Sequence, residues 1–82
     1  NCYADIQIIA QDRPNMLFDI INKLATLKVS IHSMNANRNE SNMTAYFNLC
    51  VQVKDHQHLY EIFNVLKSTV NGIYEVNRVS KN

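Results

Sequence analysis

The chain is poor in residues that punctuate or staple a fold. Its 82 residues include a single glycine, Gly72, and a single proline, Pro14. With so little glycine there is no Gly-rich loop whose backbone N–H groups might cradle a phosphate. The two cysteines, Cys2 and Cys50, stand far apart with no pairing framework around them, which points to free thiols in a reducing cytoplasm. Apolar runs are only a few residues long, against the ~20 needed to span a bilayer. The opening Asn1-Cys2-Tyr3-Ala4-Asp5 has no charged-then-apolar order of a signal peptide. A cytoplasmic chain with no membrane partner is expected. Eight basic against seven acidic residues leave a net charge of +1. Each phosphate contact needs its own Lys or Arg, so charge alone does not hold DNA or other nucleic acid.

Groups able to do chemistry are equally sparse. His56 and His58 lie two apart at a helix start, where they point in different directions; a metal pair on a helix stands at i and i+4. Cys50 sits mid-strand with no histidine placed beside it by sequence. The carboxylates Asp5, Asp12, Asp19, Glu40, Asp55, Glu61 and Glu75 are dispersed. No cofactor and no metal are expected, and the segment does not read as an enzyme by itself.

What is present is clean hydrophobic spacing. From Tyr3 to Gln11 the even positions Ala4, Ile6, Ile8 and Ala10 are apolar, the period of a strand with one covered face. Ile9 interrupts the alternation, as suits a central strand. From Pro14 the period changes: Leu17, Ile20, Ile21, Leu24 and Leu27 follow helical spacing. Pro14 fits the first helical turn, Asp12 is placed to cap it, and the helix should end near Lys28. Val29 to Arg38 reads as a second strand whose parity slips, which predicts a bulge near His32-Ser33. Asn39-Glu40-Ser41-Asn42 is a turn by composition. Ala45, Phe47, Leu49, Val51 and Val53 then alternate with Thr44, Tyr46, Asn48, Cys50 and Gln52. Asp55 caps a second helix carrying Leu59, Ile62, Phe63 and Leu66. Asn71-Gly72 is a turn, Ile73 to Val79 a short last strand, and Ser80-Lys81-Asn82 a tail that should fray.

The order strand, helix, strand, strand, helix, strand is an α+β, ferredoxin-like βαββαβ arrangement. It implies one four-stranded antiparallel sheet with both helices on one face, strands one and three central. Residues 1–82 make one domain, since a chain of this length buries only about 60–65% of its unfolded surface and has no room for a second core. Modules of this size gain stability by pairing or by docking on neighbouring domains. The chain opens without Met almost directly into a strand, so it reads as a segment of a longer protein.

Two places invite function. On the open sheet face Tyr3 and Tyr46, with Tyr74, form a possible platform of rings of the kind that stacks RNA bases. The third strand lacks the basic residues of such platforms, and cross-strand packing is the simpler use. The second place is the loop Asp12-Arg13-Pro14-Asn15 and the helix start Met16-Leu17. Free N–H groups at a helix start bind a carboxylate, and Asp12 offers an acceptor to an ammonium, so an amino-acid zwitterion has both complements there. By residue chemistry alone a plain helix start, with Asp12 capping and Pro14 leading, is the more economical reading.

At this loop the sequence takes on a resemblance. Ile8-Ile9-Ala10-Gln11-Asp12-Arg13-Pro14-Asn15-Met16-Leu17 resembles the opening signature of ACT domains: aspartate, any or basic residue, proline, glycine, then apolar residues. Leu27-Lys28-Val29-Ser30-Ile31, Asn35-Ala36-Asn37-Arg38, Phe47 to Asp55 and Gly72 to Val79 are similar to the C-terminal ACT domain of bifunctional Rel/SpoT proteins. These are GTP pyrophosphokinases, the guanosine tetra- and pentaphosphate synthetase/hydrolases of the bacterial stringent response. The resemblance implies a regulatory domain that relays amino-acid status or ribosome binding to other, catalytic domains of its parent chain. It also implies a homodimer paired through sheet edges, with an amino acid, branched-chain favoured, held between the first loop and a partner's second strand. By position, Asp12, Arg13, Pro14, Asn15, Met16 and Leu17 would form the loop side. Ser30 stands where serine-binding members place a ligand-contacting asparagine. An amino-acid biosynthetic enzyme is the alternative parent. Two departures bear on the ligand: Asn15 replaces the usual glycine and adds a side chain at the pocket, and Ser30 removes an amide donor.

Overall fold

Alternation in two long strands determines which face of the sheet is dry. The computed structural model describes residues 2–79, so the tail Ser80-Lys81-Asn82 lies outside the described residues. In chain order the elements are β1 (Cys2–Gln11), α1 (Met16–Thr26), β2 (Ile31–Asn39), β3 (Thr44–Val53), α2 (His56–Thr69) and β4 (Ile73–Arg78). The strands form one sheet in the order β2-β3-β1-β4, every pairing antiparallel. This is the expected βαββαβ arrangement with β1 and β3 in the centre. Ala4, Ile6, Ile8 and Ala10 of β1 pair with Val51, Leu49, Phe47 and Ala45 of β3 and present one apolar face. Ile20 and Leu24 of α1, with Leu59, Ile62, Phe63 and Leu66 of α2, join them in a single core. Among the described residues no polar or charged side chain is buried. Each fully buried Ile or Leu contributes about 1.5–3 kcal/mol of hydrophobic transfer.

Both strand irregularities have a place. The predicted slip in β2 is real: Ile31 pairs with Val51 and Ser33 with Cys50, which leaves His32 as the extra residue of a bulge. A second bulge lies on β4, where Ala10 pairs with Ile73 and Ile9 with Glu75, so Tyr74 is the extra residue. Asp55 caps α2 as expected, its Oδ1 accepting from the His58 N–H at 2.8 Å. His58 answers through Nδ1, which accepts from the Lys54 N–H at 3.0 Å. One free donor of the helix start is thus satisfied by the cap, and His58 at the third helical position reaches back to the residue before the cap, one place beyond the N–H that the Glu or Gln of a capping box engages.

Helix α1 departs from the expected boundaries at both ends. It starts at Met16 rather than Pro14, because Asn15 takes the left-handed conformation (φ 66°, ψ 10°) and is itself the N-cap. Asp12 does not cap it; no side chain does. At the other end Lys28 lies beyond the helix, also left-handed at φ 60°. Its N–H donates to Ala25 O at 3.0 Å and that of Val29 to Leu24 O at 2.9 Å. These are the two bonds of a Schellman motif, sealed by the buried pair Leu24 and Val29. Val29 therefore closes the helix instead of opening β2, which begins at Ile31. At the chain's end β4 stops at Arg78 rather than Val79.

Lysine at a position that favours glycine is strained, since a left-handed L-residue costs about 1–2 kcal/mol. Lys28→Gly should therefore raise the unfolding free energy by about 0.5–1 kcal/mol, less than the relief because glycine adds chain entropy to the unfolded state. A rightward shift of the urea midpoint with an unchanged slope is the expected record.

Candidate functional site

The loop from Gln11 to Asn15 is tied at three points. Its backbone is held by the Gln11 N–H on Gly72 O at 2.7 Å and the Asp12 N–H on Met43 O at 2.8 Å. The Arg13 guanidinium makes the second tie. Nε and Nη2 donate to Asn71 O at 3.0 and 2.8 Å, Nη1 donates to Pro14 O at 2.9 Å, and Nη2 lies 2.9 Å from Asp19 Oδ2. The third tie reaches β2, where Arg38 places Nε and Nη2 at 2.9 and 2.8 Å from Asp12 Oδ2. That hydrogen bond, then the charge of Asp12, raise the Arg38 guanidinium above its ordinary value.

These ties leave a cleft of about 620 Å³ between the loop, the start of α1 and the β2 edge. Asp12, Arg13, Asn15, Met16 and Leu17 line it, joined by Phe18, Ala36, Arg38, Ala45 and Phe47. The first i to i−4 bond at this helix start runs from the Asp19 N–H to Asn15 O, so the N–H groups of Leu17 and Phe18 precede it without a side-chain cap. An anion at this helix start would find two backbone donors and the positive end of the helix, in a cleft lined also by the engaged guanidiniums of Arg13 and Arg38.

Of the seven residues singled out in the sequence, five line the cleft. Pro14 is exposed and Ser30 lies just before β2, where its carbonyl accepts from the Gln52 N–H at 2.9 Å. Within one chain neither reaches the cleft. Arg38 and Phe18 were missed by sequence reading. Arg38 sits 26 residues from Asp12, and only the register of β2 on β3 brings them together.

The open sheet face has a different character. Tyr3 packs on His32 with ring centroids 5.0 Å apart, and Tyr46 stands between Ile9 and Asn37. By register this face carries Asp5 and Glu75 and, among the described residues, no Lys or Arg. Carboxylates on this face oppose a polyanion, so the base-stacking use of the tyrosines finds no electrostatic support.

Comparison with known proteins agrees with this architecture. The ACT domain family matches residues 2–78. The crystal structure of the ACT domain from GTP pyrophosphokinase of Chlorobium tepidum superposes with a TM-score of 0.78 at 23% identity, covering 94% of this chain and 96% of that one. Its solution structure gives 0.82 at 23% identity, covering 99% and 89%. A homoserine dehydrogenase from Thiobacillus denitrificans gives 0.70 at 20% identity; 94% of this chain corresponds to 16% of that enzyme. No curated protein matches in sequence. At these identities the structural likenesses establish a common fold.

The Arg13 ties should register in stability. Its guanidinium is only 22% exposed and holds two charge-assisted bonds to one carbonyl. Arg13→Gln is expected to lower the unfolding free energy by roughly 1–3 kcal/mol in urea titration. Arg38→Gln, removing a largely exposed partner, should change stability much less.

Proposed function

The chain belongs to the ACT domain family of regulatory domains, and on that premise we propose that it senses a small amino acid in the cleft beside β2. The observation carrying this reading is the uncapped start of α1 opening into a cleft walled by Met16, Leu17, Phe18, Ala36, Ala45 and Phe47. The ligand carboxylate sits on the Leu17 and Phe18 N–H groups. Its aliphatic side chain lies on the apolar wall, which favours branched-chain amino acids. Asp12 Oδ1 is the acceptor for the ammonium, since Oδ2 is engaged by Arg38.

The parent is a Rel/SpoT-type GTP pyrophosphokinase, in which the domain relays amino-acid status or ribosome contact to distant catalytic domains. Support comes from the resemblance along Asp12–Leu17, Asn35–Arg38 and Phe47–Asp55, and from the fold held in common with the Chlorobium domain. An amino-acid biosynthetic parent is the second reading, favoured only by the fold it has in common with the homoserine dehydrogenase.

A second copy of the chain completes the cleft. Every residue of β2 after Ile31 is exposed. Phe18 is 64% exposed, Met34 40% and Ile21 36%, an apolar margin running along α1 and this free edge. Pairing β2 with β2 of a copy satisfies the edge and covers the margin. The partner's Ser30 then becomes available to the cleft.

Calorimetry with a panel of amino acids tests the ligand. Leucine, isoleucine or valine should bind with millimolar or tighter affinity, and Phe18→Glu should abolish it; silence across the panel at millimolar concentration removes the sensing role. Sedimentation tests the pairing separately. A dimer at micromolar concentration that becomes monomeric with Phe18→Glu is expected, and a wild-type monomer at that concentration refutes it.

A further inference from the structure

We propose that Asn71 is a site of self-promoted deamidation, with the Arg13 guanidinium as the promoting group. Asn71 is exposed at the turn between α2 and β4, and it is followed by Gly72, the chain's only glycine. None of the other asparagines precedes a glycine. The absence of a Cβ lets the Gly72 nitrogen approach the Asn71 side chain, and the turn backbone here has glycine's own freedom at φ +92°. Among the described residues the Gly72 N–H donates to no backbone carbonyl, and no side-chain bond engages the Asn71 amide.

The unusual feature is the position of Arg13. Its Nε and Nη2 both donate to Asn71 O, at 3.0 and 2.8 Å. That oxygen belongs to the same peptide group as the Gly72 nitrogen. When hydroxide removes the Gly72 N–H proton, the negative charge is divided between that nitrogen and Asn71 O. Two guanidinium donors already aimed at the oxygen stabilise the anion, as an oxyanion hole stabilises developing charge. The nitrogen then attacks Asn71 Cγ. The new N–Cγ bond forms, the Cγ–Nδ2 bond breaks, and ammonia leaves after taking a proton from water. Water next opens the succinimide ring. Cleavage of N–Cγ gives aspartate, and cleavage at the main-chain carbonyl gives isoaspartate. The sum is one water consumed and one ammonia released, with no change of oxidation state.

The product alters the tie that holds the loop. A carboxylate now competes with Asp19 and Asn71 O for Arg13, and isoaspartate lengthens the main chain beside the Gln11 N–H to Gly72 O bond.

The test is to incubate the 82-residue chain at mildly alkaline pH in water enriched in oxygen-18 and to map peptides by mass spectrometry. Wild type, Arg13→Gln and Arg13→Lys are compared, each folded and in concentrated urea, with circular dichroism recording the fold. Asn71 of the folded wild type should deamidate faster than every other asparagine, take up the heavy oxygen and yield both aspartate forms. Arg13→Gln should slow it by about tenfold in the folded chain and not in urea. Arg13→Lys, which lacks the planar pair of donors, should fall between and decides the matter if Arg13→Gln is unfolded. A folded wild-type chain in which Asn71 stays intact, or folded Arg13 variants that match wild type, overturns the proposal.

Discussion

Two helices must dry one face of a four-stranded sheet, and they do not reach all of it. Strands β1 and β3 lie under α1 and α2, and their alternating apolar residues are buried almost completely. Strand β2 pairs with β3 along nearly its whole length yet gains no cover, since everything beyond Ile31 is exposed. The cleft is a consequence of this shortfall. It forms where the start of α1 stops short of the β2 edge, so Ala36 and Arg38 form one wall and Leu17 and Phe18 the other. A third helix, or a second copy, would be needed to close it. The same small size that leaves the domain with a thin stability margin leaves this part of the sheet open.

Within that opening the loop is held by its own hydrogen bonds. Arg13 engages the turn at Asn71, and the Asp12 carboxylate accepts from Arg38 across the sheet. Neither side chain is a free charge waiting for a partner. What the cleft offers is mostly backbone, through the first N–H groups of α1, and an apolar wall. Such a site costs little reorganisation on binding, because its donors are fixed by a helix whose Ile20 and Leu24 are fully buried. Only Asp12 Oδ1 and the largely exposed Arg38 head group have freedom to respond to charge.

The fold was legible where physics is local. Period two in β1 and β3, helical spacing in α1 and α2, and the Asp55 cap each depend on neighbours within a few residues; the strands, α2 and its cap appear as read, and α1 appears with shifted ends and Ile21 exposed. The bulge near His32 was visible as a slip of parity. The misses share a cause. Asp12 reads as a cap because it precedes a proline and an apolar run, but the helix starts late, at Met16 behind the N-cap Asn15, and the Asp12 carboxylate is bound instead by Arg38 of β2. Val29 reads as a strand residue by its parity with Ile31, yet left-handed Lys28 folds it back onto Leu24. No local pattern could announce Arg38, since its role exists only once β2 is in register with β3. Long-range pairing decides half of the cleft, and a single sequence does not display it.

Asn15 shows how a departure from a family pattern is absorbed. A glycine at that point would supply positive φ at no steric penalty, and any other residue must bear the left-handed strain. Asparagine is among the few that bear it readily, and Asn15 indeed sits at φ 66° and ψ 10°. The backbone therefore follows the path a glycine would allow, the helix begins at the next residue, and Leu17 and Phe18 still line the cleft. What changes is at the rim: an exposed carboxamide stands where there would have been none. The substitution keeps the architecture of the loop Asp12-Arg13-Pro14-Asn15 and alters only the lining of the cleft, so its effect falls on the rim rather than on the fold.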